Sequence, residues 1–353
     1  MSSEGSTTSG GIRGMRRKQV ATTSLIETEF LPGHEDSLPL VVRPAVANVD
    51  LAEWCESNKD ELNGYLDKYG ALVFKGFGLE SATDFERVAA AVSPELFAEY
   101  GDLPQESTTE RIYHSTPYPA DKTILFHNES SHLPQWPLRQ FFFCVIPAAD
   151  RGQTPLLDCR RTYDALDPVL RDQFAEKGLM YVRNFSEGID VPWQDFFHTS
   201  DKAEVEKMCT EAGMGCEWTA GGGLRISQVS PAVAVHPRTG EKLFFNQIQL
   251  HHVSCLDDET RNALGQLFAE EDMPRNVYFG DGTPIPDEVV AQIGELYEEL
   301  CVEPPWAAGD MIVLDNMLVA HARRPFSGER KILVAMAEMV EGKQLATAAA
   351  GDR

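Results

Sequence analysis

The C-terminal part of the chain contains two apolar runs that favour buried β-strands. Residues 310–314 (DMIVL) and 331–337 (KILVAMA) are rich in aliphatic and β-branched side chains. The polar pair Asp315 and Asn316 follows the first run and favours a turn. Short apolar runs of this kind, bounded by turn residues, predict β-strands. The C-terminal end of the chain is therefore expected to contribute strands to the fold.

Other segments add further strands and a set of amphipathic helices. Strand-like runs recur in four segments, residues 71–77, 139–146, 232–236 and 241–246, the last two joined by PRTG. Helical spacing of apolar residues recurs in five segments, residues 50–68, 82–92, 162–177, 257–270 and 287–300. The strands cluster in the middle and at the C-terminal end, with helices around them. This pattern predicts an α+β protein whose sheets form a sandwich or barrel.

The chain reads as one domain with a polar tail at each end. Residues 1–20 are rich in Ser, Gly and Thr and are predicted to be disordered, and residues 344–353 are predicted to fray. Between them there is no internal repeat and no Pro-rich or Gly/Ser-rich linker. We therefore expect a single domain over residues 21–343, in which 42% hydrophobic content supplies a large core.

Charge and cysteine content exclude several classes of protein. The formal net charge of −24 repels phosphates, so a nucleic-acid partner is disfavoured. No apolar run reaches the ~18 residues of a membrane span, and no apolar segment follows the basic N-terminus as in a secretory signal. The seven cysteines are odd in number and lack C-x2-C spacing. We expect reduced thiols and a cytoplasmic location.

An imidazole and a carboxylate lie close together in residues 124–132 (ILFHNESSH). A strand-like lead-in delivers His127 and Glu129, and residues i and i+2 of an extended chain point to the same face. The pair forms two thirds of a facial His/carboxylate/His site. Such ligands suit Fe(II) and leave positions open for a cosubstrate and oxygen. The spacing by itself is also that of an ordinary surface polar pair.

The third ligand is predicted at His321, after the strand at 310–314 and its turn. Arg330 follows nine residues later, at the head of the next strand. Taken alone, His321 would be a hydrogen-bonded core histidine, but its combination with His127 and Glu129 favours a metal site. His251 and His252 are rivals, yet neighbours on a strand face opposite sides and cannot both ligate easily.

At these residues the sequence resembles the TauD/TfdA family of Fe(II)- and 2-oxoglutarate-dependent oxygenases. The likeness is to the branch with Glu rather than Asp in the first motif, which includes SyrP-like and asparagine- or arginine-hydroxylating enzymes of natural-product pathways. It begins near Leu72 (LVFKGF) and includes YVRNF, GDGTPI, LDNMLVAHARRPF and GERKILVAM. The resemblance therefore covers most of the chain.

The resemblance implies a fold and a set of site residues. The fold would be a double-stranded β-helix, a distorted jelly roll with surrounding helices. His127, Glu129 and His321 would bind the iron. Arg330 would bind the distal carboxylate of 2-oxoglutarate through its guanidinium fork, with Arg324 as a substitute. Thr154, in RGQTPLLD, would hydrogen-bond the same carboxylate.

The resemblance also implies the reaction. 2-Oxoglutarate and O2 would be converted to succinate and CO2 while an unactivated C–H of the substrate is hydroxylated. Glu129 argues against a halogenase, since related halogenases lack this carboxylate. The substrate would be an amino acid or a derivative of one, free or presented on a carrier protein, and a homo-oligomer is compatible with the sequence. Four residues are candidates for substrate binding, Ser131, His132, Asn246 and Arg324.

Two alternatives stay open at this point. The same iron site could catalyse desaturation or another oxidation of a different small molecule. A different class is a non-catalytic jelly-roll binding protein, which would need neither open coordination positions nor a partner for Arg330. Metal content and succinate release with 2-oxoglutarate separate these possibilities.

Overall fold

A computed structural model of the chain describes residues 24–97, 111–115, 117–186, 191–219 and 221–342. The predicted tails, residues 1–20 and 344–353, lie outside these ranges, and so do the predicted domain limits at residues 21 and 343.

The strands of the described residues are β1 Ile26–Phe30, β2 Leu40–Pro44, β3 Ala71–Phe74, β4 Tyr113–His114, β5 Ile124–His127, β6 Gln135–Ile146, β7 Asp150–Arg151, β8 Leu156–Asp158, β9 Leu179–Phe185, β10 Gly215–Trp218, β11 Leu224–Ser230, β12 Val233–Val235, β13 Lys242–Phe244, β14 Arg275–Phe279, β15 Met311–Asp315, β16 Val319–Arg323, β17 Phe326–Ser327 and β18 Lys331–Glu341. The α-helices are α1 Leu51–Ser57, α2 Lys59–Tyr69, α3 Ala82–Val92, α4 Cys159–Ala165, α5 Pro168–Lys177, α6 Trp193–Phe196, α7 Lys202–Ala212, α8 Ile248–His251, α9 Asp258–Leu267 and α10 Asp287–Leu300.

A seven-stranded sheet in the order β1-β2-β3-β15-β6-β18-β4 forms the centre of the protein. Its long strands β6 and β18 pair antiparallel along almost their whole length, and β15 pairs with β6 on the other side. The only parallel pair in this sheet, among the described residues, joins β2 to β3. The two apolar runs at 310–314 and 331–337 are therefore central strands, as predicted.

Both faces of the central sheet are covered, which explains why its strands are apolar throughout. Phe141 and Phe143 of β6 pack with the buried side chains of α1, α2 and α3. Phe142, between them, belongs to the other core cluster, together with residues of β16 such as Ala320 and Ala322. Alternate side chains of one strand thus enter different cores, because successive residues of a strand point to opposite faces.

A three-stranded sheet, β5-β16-β8, faces the central sheet across the second core. A four-stranded sheet, β10-β11-β9-β14, has a small core of its own with Trp193 of α6 and Val205 of α7. The hairpin predicted around PRTG is present as β12 and β13. The prediction of an α+β protein with sheets that pack on one another is confirmed.

Most helices begin where the sequence indicates, but two predicted helices are interrupted. The segment 50–68 divides at Asn58 into α1 and α2, and the Asp50 side chain caps α1 by accepting from the backbone N–H of Glu53. The segment 162–177 is wrong as one helix, because Pro168 cannot continue a helix and instead starts a new one. Asp167 caps α5 by accepting from two backbone N–H groups.

Among the described residues, the longest α-helix, α10, has 14 residues, and no helix there has the length and apolar character that crossing a bilayer requires.

Candidate active site

The two candidate histidine ligands occupy opposite positions on neighbouring strands. His127 is the last residue of β5, and His321 lies at the centre of β16. The two strands pair antiparallel with His127 directly opposite His321, and the ring centroids lie 4.2 Å apart. One strand pairing therefore brings together two residues that are far apart along the chain.

Glu129 reaches the same place from a turn. β5 ends at His127, and the chain turns through Ser130, whose backbone is left-handed (φ 56°). Oε2 of Glu129 lies 4.0 Å from Nε2 of His127. One ligand atom from each of Glu129, His127 and His321 lies within 4.8 Å of the other two. The sequence predicts that an extended strand directs His127 and Glu129 to one face. That expectation is incomplete, because the strand ends at His127 and the following turn positions the carboxylate of Glu129.

Asn316 holds this turn through its side-chain amide. Its Oδ1 accepts from the backbone N–H of Glu129 at 2.7 Å, and its Nδ2 donates to the carbonyl oxygen of Glu129 at 2.9 Å. The same Nδ2 donates to the carbonyl oxygen of Pro137 at 2.9 Å. The backbone oxygen of Asn316 accepts from Nδ2 of Asn128 at 2.7 Å. The amide of one buried residue therefore links the segment of β16 to the segment that carries Glu129.

The orientation of the other donors is also constrained. Nδ1 of His127 donates to the carbonyl oxygen of Leu125 at 2.8 Å, which leaves Nε2 free as the ligand atom. Nε2 of Gln140 donates to Oε2 of Glu129 at 3.3 Å. Burial, and secondarily the charge of His127, lower the pKa of His321 well below its ordinary value. His321 is therefore neutral, the form in which imidazole binds a metal.

The donor set fits a ferrous ion. Two imidazoles and one carboxylate on one side of a site are the ligands of non-haem Fe(II), with positions left for other ligands. Nδ1 of His321 is buried and has no hydrogen-bond partner in the described part of the chain. A buried polar atom of this kind commonly marks a catalytic group or the place of an ion or water. These residues thus have the chemistry and the geometry of a metal centre.

A cavity of about 60 Å³ opens at the three candidate ligands. One water needs about 10–15 Å³ on this measure, so the cavity has room for several atoms beyond a metal ion. The side chains around it come from both facing sheets and the segments beside them: Ser115, Ile124, His127, Glu129, Gln140, Phe142, Thr154, His321, Ala322, Arg323, Arg330, Ile332, Val334 and Met336.

The predicted 2-oxoglutarate residues, Thr154 and Arg330, lie in the wall of this cavity. Nε of Arg330 donates to the carbonyl oxygen of Gly152 at 3.0 Å, and the guanidinium lies 5.4 Å from the ring centre of Phe326. No carboxylate of the described residues forms an ion pair with Arg330. Burial, and then the charge of Arg323, lower the pKa of Arg330 to about 10, so it is still charged at neutral pH.

Thr154 has a defined orientation. Its Oγ1 accepts from Nε1 of Trp306 at 3.1 Å, which leaves the Thr154 hydroxyl hydrogen available to another acceptor. The side chain is buried, with 3% of its residue surface exposed. A fixed cation and a fixed hydroxyl donor in the same cavity suit a carboxylate.

The structure brings none of the four predicted substrate residues, Ser131, His132, Asn246 and Arg324, to the wall of this cavity. Arg324 donates to both carboxylate oxygens of Glu298, at 2.8 and 2.6 Å, and to Glu303 at 2.7 Å. Arg324 is therefore neither a substrate residue nor a substitute for Arg330 in this geometry, because two carboxylates hold its guanidinium elsewhere. Asn246 is buried behind the site, where its Nδ2 donates to the hydroxyl of Tyr297 at 3.0 Å.

Ser131 is buried and lies outside the walls of the cavity. The backbone turn at Ser130 redirects the chain, so the two-residue spacing from Glu129 does not place Ser131 on the same face. His132 lines a second cavity instead.

Sequence reasoning missed four residues of the site, Ser115, Gln140, Asn316 and Arg323. Asn316 was interpreted only as a turn residue, although its position between a strand and the candidate ligand was a usable signal. Gln140 is a polar residue inside an aromatic strand, and a buried polar side chain in such a run often has a specific partner. The guanidinium of Arg323 donates to backbone carbonyls, including that of Tyr118 at 3.1 Å, so it shapes the wall. No local pattern distinguishes Ser115.

Comparison with known proteins gives a match along most of the chain. The profile of the family described as "Taurine catabolism dioxygenase TauD, TfdA family" matches residues 34–336. The dapdiamide synthesis protein DdaC of Enterobacter agglomerans is 35% identical over 276 residues, which cover 78% of this chain and 84% of DdaC. A clavaminate synthase-like protein of Arabidopsis thaliana is 30% identical over 317 residues, which cover 84% of this chain and 93% of that protein.

Solved structures share the fold at low sequence identity. PvcB of Pseudomonas aeruginosa has a TM-score of 0.53 and 13% identity, and the match covers 91% of this chain and 94% of PvcB. AAD-2, in complex with Mn(II) and N-oxalylglycine, has a TM-score of 0.52 and 16% identity, with 90% of this chain and 98% of AAD-2 covered. The predicted double-stranded β-helix core with surrounding helices is confirmed.

Proposed function

This chain belongs to the TauD/TfdA family and is an Fe(II)- and 2-oxoglutarate-dependent dioxygenase, and we propose that it hydroxylates an unactivated C–H bond of an amino-acid-derived substrate. His127, Glu129 and His321 hold the iron. Thr154 and Arg330 bind the distal carboxylate of 2-oxoglutarate. The iron, once bound with 2-oxoglutarate, supplies the activation of O2 that attack on a C–H bond requires.

One observation carries this proposal. The cavity that contains the three donors of the candidate metal centre is also lined by Arg330, a half-buried cation with no carboxylate partner among the described residues. A guanidinium that is partly removed from water is stabilised by an anion, and its fork pairs well with a carboxylate. A metal centre and a carboxylate site in one small cavity suit a cosubstrate that ligates the metal at one end and is anchored at the other.

The protein's own residues have separate tasks in this scheme. Gln140 holds one oxygen of Glu129, and the carbonyl of Leu125 fixes the tautomer of His127. Phe142 and the aliphatic side chains of β18 make the rest of the wall apolar, which limits water at the place where the C–H bond is attacked. The arrangement favours selective reaction with substrate over side reactions with water.

The substrate class rests on the similarity to DdaC, a dapdiamide synthesis protein, at 35% identity. We infer an amino-acid-derived substrate in natural-product biosynthesis, either free or presented on a carrier protein. All seven cysteines are free thiols, and four of them, Cys55, Cys144, Cys159 and Cys209, are buried, which raises their pKa values to about 12. Free thiols support a reducing compartment such as the cytoplasm.

The test is an assay with the full chain, Fe(II), 2-oxoglutarate and O2 against a panel of amino acids in free and carrier-bound form. We expect succinate release that depends on one panel member, together with a product heavier by one oxygen atom. A product lighter by two hydrogens would show a desaturase, and the hydroxylation proposal would be abandoned. Protein that binds no Fe(II) under anaerobic conditions would favour the non-catalytic alternative.

A further inference from the structure

Trp306 does not line the cavity at the metal centre, but its side chain is hydrogen-bonded to a residue that does. Nε1 of Trp306 donates to Oγ1 of Thr154 at 3.1 Å, and Thr154 lies buried in the cavity wall. The indole is half-buried and packs against the core between the central sheet and the three-stranded sheet. Trp306 has no task in the scheme above, although it contacts one of the two residues assigned to the cosubstrate.

The segment that carries Trp306 is fixed at its N-terminal end to the strand that follows Thr154. Val302 and Leu156 exchange two backbone hydrogen bonds, of 2.8 and 2.9 Å, and Leu156 is the first residue of β8. The chain then runs from Val302 through Trp306 to β15. The indole N–H and the Thr154 hydroxyl therefore belong to two segments that backbone pairing joins, so their contact does not depend on side-chain packing alone.

A buried ion pair fixes the other end of this segment. Nζ of Lys75 pairs with Oδ2 of Asp310 and also donates to the carbonyl oxygen of Pro305 at 2.8 Å. The same Oδ2 accepts from the backbone N–H of Ala307 at 2.8 Å. The residues on both sides of Trp306 are thus tied to one ion pair that is removed from water. Charge-assisted hydrogen bonds are among the stronger ones, so the indole N–H has a defined direction.

The hydrogen bond from Trp306 determines what the Thr154 hydroxyl can do. A hydroxyl has one hydrogen to donate and two lone pairs that accept, whereas an indole N–H only donates. The hydroxyl hydrogen of Thr154 therefore cannot be given to Trp306, and none of the described residues accepts it. A buried donor that lacks an acceptor costs free energy. The group that satisfies this hydrogen has to come from a molecule in the cavity.

A carboxylate suits this pair of residues better than a primary amide does. The guanidinium of Arg330, in the same wall, has donors only. The two oxygens of a carboxylate offer acceptors to both Arg330 and Thr154. An amide in the same place offers its oxygen to one residue and its N–H groups to the other. An N–H that faces Thr154 leaves the hydroxyl hydrogen without an acceptor, and one that faces Arg330 brings two donors together.

We propose that Trp306 is a positioning residue that holds Thr154 as a hydrogen-bond donor and thereby makes the site selective for a cosubstrate whose anchored end is a carboxylate. The proposal rests on the assignment of Thr154 and Arg330 to 2-oxoglutarate in the function proposed above. Without the indole N–H, the hydroxyl hydrogen can turn to the vacated side, where water can accept it. The oxygen of Thr154 is then free to accept from an amide.

The experiment measures binding equilibria and requires no turnover. The full chain is loaded with Fe(II) under anaerobic conditions and titrated in a calorimeter with N-oxalylglycine, an analogue of 2-oxoglutarate with N–H in place of one CH₂ group. The second probe is N-oxalylglycinamide, in which the distal carboxylate is a primary amide. The ratio of the two dissociation constants gives the preference for the acid. We expect Trp306→Phe to lower this preference by roughly threefold to tenfold, the range of one neutral hydrogen bond.

Variants of Thr154 and of a second tryptophan test the route of the effect. Thr154→Ser retains the hydroxyl and should retain the preference, whereas Thr154→Val should lower it. Trp306→Phe in the Thr154→Val background should cause no further fall, since the two residues act through one hydrogen bond. Trp218→Phe is the matched control, because Nε1 of Trp218 donates to Oε1 of Glu206 outside the cavity. It should leave the preference unchanged.

Two outcomes would overturn the role of Trp306. One is an unchanged preference in folded Trp306→Phe, and the other is a further fall of equal size when this change is added to Thr154→Val. Thermal unfolding verifies the fold of each variant, and Trp306→Met, whose flexible side chain fills irregular space, takes the place of Trp306→Phe if that variant does not fold. An unaltered chain that does not bind N-oxalylglycine would contradict the proposed function itself, so the two failures are distinguishable.

Discussion

His127 and His321 are direct partners in the pairing of β5 with β16, although 193 other residues separate them along the chain. Strand pairing fixes the distance between opposed side chains to a few ångströms. The spacing of the two candidate ligands is thus set by backbone hydrogen bonds and not by the metal. The site is accordingly preformed, and removal of a ligand side chain should leave the sheet intact.

The first prediction concerns the ligands themselves. His127→Ala, Glu129→Ala and His321→Ala should each abolish succinate formation, because a facial site with two donors holds Fe(II) poorly. Circular dichroism and thermal unfolding should show a folded protein in each case. The control is His198→Asn, which changes an exposed histidine outside the cavity. Full turnover in any of the three alanine variants would remove that residue from the ligand set.

A second prediction separates the two ends of the cosubstrate. Arg330→Met should raise the KM for 2-oxoglutarate by roughly tenfold to a hundredfold, since a charge-assisted hydrogen bond to its distal carboxylate is lost. The KM for the substrate should change far less. Arg324→Met serves as the comparison, because Arg324 is paired with Glu298 and Glu303 away from the cavity. Equal increases of both KM values in Arg330→Met would argue against its assignment.

Asn316 should matter for metal binding although it is not a ligand. Asn316→Ala removes the two hydrogen bonds that hold the backbone of Glu129 and a third one to the carbonyl oxygen of Pro137. Residues that orient ligands typically contribute 10- to 100-fold to metal affinity, and we expect a loss of about that size in an anaerobic Fe(II) titration. The pairing of His127 with His321 is independent of this amide, so the two-histidine part of the site persists. An unchanged Fe(II) affinity in a folded variant would show that the turn holds itself.

Acid stability should depend on the buried carboxylate next to Asn316. Burial alone would raise the pKa of Asp315, but the hydrogen bond from His236 and the charges of Arg139 and Arg238 hold it below the usual 3.8. A carboxyl group with a depressed folded pKa stabilises the protein above its unfolded pKa. This contribution is lost as the pH falls from about 3.8 through the lower folded value.

Asp315→Asn should therefore flatten the acid limb of the pH–stability curve below pH 4. It should also lower the free energy of unfolding at pH 7 by about 3–5 kcal/mol, because Arg139 stays buried without the carboxylate nearest to it. Urea unfolding over a series of pH values measures both effects. An acid limb identical to that of the unaltered chain would assign the acid sensitivity to other groups.

The sequence predicted the parts of the site that follow a regular period. Strand runs such as 331–337 could be predicted from their apolar composition, and His127 and Arg330 could be located at the ends of such runs. The helix break at Pro168 also follows from the chemistry of proline, which lacks the backbone N–H that a helix interior needs.

The remainder depended on three-dimensional placement. Arg324 and Arg330 are both arginines near the end of the second motif, and only the positions of Glu298 and Glu303 show which one is already paired. Likewise, Ser131 is directed away from the cavity by the left-handed turn at Ser130. Local residue spacing does not show which distant acidic residues an arginine pairs with. It also does not show in which direction a turn sends the chain.

The last strands of the chain, β15, β16 and β18, have a consequence for protein synthesis. As the chain leaves the ribosome, β6 emerges long before the two strands that flank it, so Phe141, Phe142 and Phe143 lack their partners until residues of β18 have been made. The nascent polypeptide thus exposes an aromatic strand edge while the residues between β6 and β15 are being made, the condition under which chaperones are engaged. The candidate metal centre can form only after His321 of β16 has been made, and a chain that stops before β16 lacks one of the three ligands.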